Sequence, residues 1–209
     1  MIDIDDVNKF DPELDTVVDS LVNYLQERLS DDIDQFYSEW PEANLGENEV
    51  TLAAHTIDAA LTNRKIVIVD KQDILNESVK AAATYRLGTY DINIQVDIWT
   101  PYKAKRNELY TKFCDTINEE FLNGDWKPVG LSLTLENYFD TIARYEIVGY
   151  NFPDEERASQ VDEWRVVIAM KAHFDKKRQK IVNKITDSII VDSDEITEEE
   201  YISEHIVIE

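Results

Sequence analysis

The residues from Val79 to Thr100 constrain the fold more than any other part of the chain. Val79, Ala81, Ala83, Tyr85 and Leu87 alternate with Lys80, Ala82, Thr84 and Arg86. Gly88-Thr89 interrupts the pattern, which then resumes. Tyr90, Ile92, Ile94, Val96 and Ile98 share one side, and Asp91, Asn93, Gln95 and Asp97 the other. Successive side chains of a strand point to opposite faces, so this period of two with an apolar face means half-buried β structure. Glycine lets a backbone reverse, and the sequence predicts two long antiparallel strands joined at Gly88-Thr89. Thr100-Pro101 then predicts a helix start, with Thr as N-cap and Pro at the first position.

The flanking segments supply the layers that such a sheet needs. Asp11-Pro12 opens a helix in which Leu14, Val17, Val18, Leu21, Val22, Leu25 and Leu29 recur at three- and four-residue steps. A second helix is predicted over about 101–122, with Tyr102, Leu109, Tyr110, Phe113, Cys114, Ile117 and Phe121 together and Lys103, Lys105, Arg106 and Lys112 on the outer face. Ile33, Phe36 and Tyr37 are candidate anchors before the break at Trp40-Pro41. Val50 to Leu52 can begin a strand, 53–61 fits strand or helix, and Lys65 to Asp70 is a β-branched strand. Further strands are predicted over about 130–136, 142–150, 163–174 and 185–191, with a basic turn or short helix between the last two. Together these predict an α+β fold: a mainly antiparallel sheet with a long β-hairpin and two helices packed on one face. Residues 1–10 read as a polar arm, 11–191 as a single domain, and 192–209 as an acidic extension.

Charge narrows the function classes. Acids outnumber bases 44 to 21 in the 209 residues, a formal net charge of -23. That disfavours a basic footprint on nucleic acid or docking on an anionic membrane surface. The single Cys114 excludes an internal disulfide and suggests a reducing compartment. The acidic start MIDIDDVNKF is unlike a secretory signal, and no apolar run reaches membrane-spanning length. The five glycines are too scattered for a P-loop or a dinucleotide fingerprint. No G-x-S-x-G elbow or H-E-x-x-H helix is present, and His55, His173 and His205 share no ligand spacing. Cys114 paired with His55 or His173 is the one nucleophile arrangement to weigh, against a buried structural thiol. Asp91 and Asp97 could flank a substrate or lie on a solvated sheet face. No catalytic residue, cofactor or metal is therefore expected.

One positive cluster stands out against the acidic background: Lys171, Lys176, Lys177, Arg178, Lys180 and Lys184. It contrasts with the C-terminal segment, where residues 192–209 hold eight acids and no Lys or Arg, with Ile202, Ile206 and Ile208 able to form a small docking element. A repeated heterologous contact between opposite charges closes into a ring when the rotation permits. Lys176, Lys177, Arg178, Arg86 and Trp99 are the candidate residues for a subunit interface.

Four stretches resemble the tail-completion, or tail-terminator, proteins of tailed bacteriophages. Tyr85-Arg-Leu-Gly-Thr-Tyr-Asp-Ile-Asn-Ile-Gln-Val-Asp-Ile-Trp99 resembles that family's glycine-turned hairpin ending in a V-D-[IV]-W strand, and Lys103 to Leu109 the opening of its next helix. Phe36-Tyr-Ser-Glu-Trp-Pro-Glu-Ala-Asn44 resembles the loop before its early strands, and Glu163-Trp-Arg-Val-Val-Ile-Ala169 a late strand. The resemblance spans roughly residues 12–190, matches poorly over 50–64, and does not reach the acidic tail. It implies a non-enzymatic virion protein, made in the host cytoplasm. Copies would form a ring, commonly hexameric, at the tail–neck junction. The partners implied are other copies, the tail-tube protein and a neck or connector protein, with no membrane. Viral DNA would slide through the lumen without specific binding, as carboxylates facing it would favour. The alternatives are another neck or head–tail connector protein, told apart by which neighbour co-purifies, and an acidic DNA mimic, which needs acids at phosphate-like spacing over one continuous surface.

Overall fold

The computed structural model describes residues 12–41, 49–75, 80–118, 131–135, 141–153, 164–183 and 191–192. The chain is α+β. Helix α1 spans Pro12–Leu29 and α2 Lys103–Ile117. The strands are β1 Gln35–Tyr37, β2 Thr51–Thr62, β3 Lys65–Asp73, β4 Lys80–Thr100, β5 Leu131–Leu135, β6 Thr141–Asn151, β7 Trp164–Asn183 and β8 Val191–Asp192. They pair in the order β1-β2-β4-β7-β6-β5, while β3 pairs with β4 and β8. β1 runs parallel to β2, and the β3–β4, β3–β8, β5–β6 and β6–β7 pairs are antiparallel.

The described residues fall into two compact units, each with its own apolar interior. The first comprises the described residues within 12–60 and 91–173, the second those within 61–90 and 174–192. β2, β4 and β7 supply residues to both, so the division runs along strands and not at a linker.

In the first unit the α1 positions identified by their spacing, Leu14 through Leu29, are all buried. Each such Leu or Val contributes roughly 1.5–3 kcal/mol relative to exposure. Both helices cover the same sheet face: α1 lies on β1 and β5, α2 on α1 and β6. The Tyr145 hydroxyl of β6 donates to the Val17 carbonyl at 2.8 Å, and the Tyr24 hydroxyl to the Thr116 carbonyl at 3.2 Å. Ile92, Ile94, Val96 and Ile98 of β4 and Val166, Ile168, Met170 and Ala172 of β7 fill the interior beneath. The opposite face carries Asp91, Asn93 and Gln95 of β4, with Ile57 of β2 and Ile142 of β6 exposed. In the second unit Ile66, Ala81, Ala83, Tyr85, Leu87 and Val182 form a smaller cluster.

Several boundaries differ from expectation, each for a physical reason. The chain does not reverse at Gly88: β4 continues through it, and its φ lies outside the left-handed region a tight turn uses. The phase change is real, with odd positions buried before Gly88 and even positions after it. Glycine is needed there for closeness, since a Cβ would sit 2.8 Å from the Thr62 carbonyl oxygen and 3.0 Å from Leu61 Cδ1. The antiparallel hairpin lies one segment earlier, where β3 leads into β4 with Asp73 opposite Ala81 and Val67 opposite Arg86. The left-handed residue is Asn63, at φ 48°, between β2 and β3.

α2 begins at Lys103, with Tyr102 as N-cap, because Thr100 still belongs to β4. The basic segment 175–183 is neither turn nor helix but the second half of β7. The ambiguous 53–61 is strand. The arm 1–10, the helix end beyond 118 and the acidic tail beyond 192 lie outside the described residues, as does most of the predicted 185–191 strand.

Candidate functional site

The exposed polar face of the first unit ends in a cluster built from three distant parts of the chain. β4 alternation puts Asp97 and Trp99 on that face, β7 alternation adds Arg165, and Trp40 closes over them just after β1. Arg165 donates through Nε and Nη2 to Asp97 Oδ1, at 2.8 and 2.7 Å. Gln95 Nε2 donates to the other carboxylate oxygen at 2.8 Å. The Arg165 guanidinium also lies 5.3 Å from the ring centroids of both Trp40 and Trp99. Trp40 meets Trp99 edge-on at 5.4 Å and His55 at 5.3 Å.

The solvated reading of Asp97 is thus corrected: its side chain is 0% exposed beneath Arg165, while Trp40 remains 50% exposed. Two charges satisfied against each other under a half-exposed indole make a rigid anchor, of the residue types that dominate macromolecular contacts. Nothing in this arrangement supplies a nucleophile or an acid–base pair.

Asp91, the other acid of the β4 polar side, meets His173 Nδ1 at 2.5 Å, and His173 Nε2 lies 3.8 Å from Glu146. Asp58 accepts from Asn93 nearby, and Arg144 and Lys171 are exposed on the neighbouring strands. Acids and bases therefore alternate across this face instead of forming the continuous acidic run a DNA mimic requires.

Two cationic groups of α2 behave differently from their sequence reading. Lys105 and Lys112 converge on Asp32, each at 2.7 Å. Those hydrogen bonds hold the Asp32 carboxyl below the usual carboxylate range, and the Asp32 bond in turn raises Lys112. Arg106, expected on the outer face, is 0% exposed. Its guanidinium stacks over Phe152 at 4.0 Å and donates through Nη2 to Asn107 Oδ1 at 2.9 Å. A planar, weakly hydrated cation can be buried on an aromatic ring where an ammonium could not. Periodicity alone cannot distinguish such an arginine from a solvated one; the nearby Phe152 and Trp164 were the available signal.

Cys114 is half-buried, and burial raises its pKa above that of a free thiol, partly offset by its hydrogen bond with Tyr110. That environment disfavours the thiolate a nucleophile needs. Among the described residues no group of three or more His, Cys, Asp or Glu side chains could hold a metal. No helix among them is long and apolar enough to cross a membrane.

The five interface candidates divide between the two units. Trp99 belongs to the cluster above and is 8% exposed. Arg86, Lys176, Lys177 and Arg178 belong to the second unit. Lys176 is a correction: at 7% exposed it is an interior residue, its Nζ 3.3 Å from the Tyr90 hydroxyl and 5.3 Å from that ring. It lies on the inward side of β7 with Phe174 and Val182, whereas Arg178, two residues further along the same side, is exposed. Arg86 Nη1 pairs loosely with Asp175 at 3.7 Å.

Arg86 also borders an open cavity of about 510 Å³, lined by Leu61, Thr62, Asn63, Arg64, Lys65 and Thr89 besides itself. No protein-family model matches the chain, and no curated protein matches it.

Proposed function

We propose that this protein is a structural subunit of a tailed-bacteriophage virion, a tail terminator whose copies close into a ring on the tail tube and join it to the head. One observation carries the reading. Three of the four stretches that resemble the family are far apart in sequence, yet contribute to the same cluster: Trp40 from the earliest, Asp97 and Trp99 from the hairpin stretch, Arg165 from the late strand. Short motifs that meet in space suggest one shared structural task. A half-exposed tryptophan braced by an arginine suits a contact with another protein better than it suits catalysis.

The net charge of -23 supports the second half of the reading. Distributed around a ring, it would keep passing DNA from adhering, screened over about 8 Å at physiological salt. Burial of Lys176 changes which bases can serve a subunit contact, leaving Lys177 and Arg178 as the accessible ones.

The test is mass in solution by light scattering, with negative-stain imaging, for the purified chain alone and with tail-tube subunits. Closed rings are expected, and Trp40→Ala should weaken them while leaving circular dichroism unchanged. A monomer at every concentration, with and without tube subunits, would refute the proposal. Co-purification with a portal-side adaptor and not with tube would move the protein to another neck layer.

A further inference from the structure

The cavity at the β2–β3 turn brings three cationic side chains of the second unit together. Arg64 and Lys65 come from the turn and the start of β3, and Arg86 from β4, with Thr62, Asn63 and Thr89 between them. The acid already beside it is Asp175, which accepts from Thr89 Oγ1 at 3.0 Å and lies 3.7 Å from Arg86 Nη1. Arg86 Nε is buried and meets no hydrogen-bond acceptor among the described residues. The side chain is 30% exposed, so a further acceptor can reach the cavity side of this guanidinium, and a buried N–H favours one.

β8 indicates where that anion comes from. It runs antiparallel to β3, with Val191 opposite Ile66 and Asp192 opposite Lys65. On the β3 side the residues next in that register are Arg64 and Asn63, both on the cavity wall. An extended chain advances about 3.3 Å per residue, so three residues cover roughly 10 Å. The segment beyond, 193–209, holds seven Asp or Glu and no Lys or Arg.

We propose that this cavity is the docking site of the chain's own acidic C-terminal segment, held by carboxylates on Arg64, Lys65 and Arg86. The inference is independent of the ring reading and applies equally to a monomer.

Zero-length carbodiimide coupling tests it on the full chain, because it joins a lysine to a carboxylate only in direct contact. The Lys105–Asp32 pair, at 2.7 Å, is the internal standard. The sample mixes ¹⁴N- and ¹⁵N-labelled protein, so mass spectrometry separates links within a copy from links between copies. Expected are Lys65 links to acids of 194–209 within one copy, reduced about five-fold relative to the standard by Arg64→Glu and by 0.5 M salt. If Arg64→Glu perturbs the melting curve, Arg64→Gln replaces it. Three results would each overturn the proposal: the standard forming with no Lys65 link to the tail, links only between differently labelled copies, or links indifferent to both Arg64 and salt.

Discussion

Replacing Arg165 by Met tests the cluster most directly. Asp97 is 0% exposed and takes two of its hydrogen bonds from Arg165, at 2.8 and 2.7 Å. Removing one partner of a buried ion pair typically costs about 3–5 kcal/mol, because the remaining charge is stranded. Arg165 itself is 28% exposed, so some water can reach the vacated side. That places the expected loss near the lower end, about 3 kcal/mol, including about 0.5–1 kcal/mol for each indole contact. For a chain of this length such a loss lowers Tm by roughly 6–12 °C.

Urea unfolding followed by tryptophan fluorescence is the assay, run on Arg165→Met, Asp97→Asn and the double variant. The two residues touch, so their effects should not add, and a coupling of about 2 kcal/mol is expected. Arg165→Met costing under about 1 kcal/mol, or simple additivity across the cycle, would refute the claim that Arg165 stabilises a buried Asp97 charge.

Other substitutions probe separate features. Gly88→Ala should cost about 1–3 kcal/mol by overpacking against the Thr62 carbonyl, whereas Gly149→Ala, with nothing within 4 Å of its Cβ, should change urea stability by under about 0.5 kcal/mol. Arg106→Met, which keeps an apolar stem on Phe152, should lie within about 1 kcal/mol of the native protein in thermal melts, and Arg106→Ala should lose about 2–4 kcal/mol. Asp32 has a folded pKa below its unfolded value of 3.8, so its stabilisation is present above that pH and is lost as pH falls below it toward the folded pKa. Asp32→Asn should therefore flatten the acid limb of a urea-stability profile below about pH 4, by no more than about 1 kcal/mol given the solvent exposure, and less in high salt. Lys177→Glu with Arg178→Glu should leave the melting curve unchanged but alter any ring assembly at low salt, while Lys176→Glu should unfold the second unit's interior and lower Tm.

What the sequence determined by itself was whatever depends on local periodicity. The apolar stripe of Leu14 through Leu29 could only be one face of a helix, and the alternation of Ile92 to Ile98 could only be a strand with one side inside. Those two facts suffice for an α+β chain with helices on one sheet face. The phase change at Gly88 was equally legible, but its cause was not. A turn and a change of buried side give the same pattern, and only the approach of Leu61 and Thr62 shows that glycine serves closeness there.

The charged residues were decided by tertiary structure, because charge carries no period of its own. Lys176 and Arg178 read alike in sequence and share one side of β7, yet only the first meets the Tyr90 ring and is buried, while the second stays in water. Arg106 read like Lys105, and only Phe152, forty-odd positions away, makes its burial tolerable. Asp97 read like Asp91, and only the arrival of Arg165 and Trp40 from elsewhere seals it from solvent. A charge can be removed from water only when distant parts of the chain bring its partners, and that meeting is fixed by the fold and not by the neighbours in sequence.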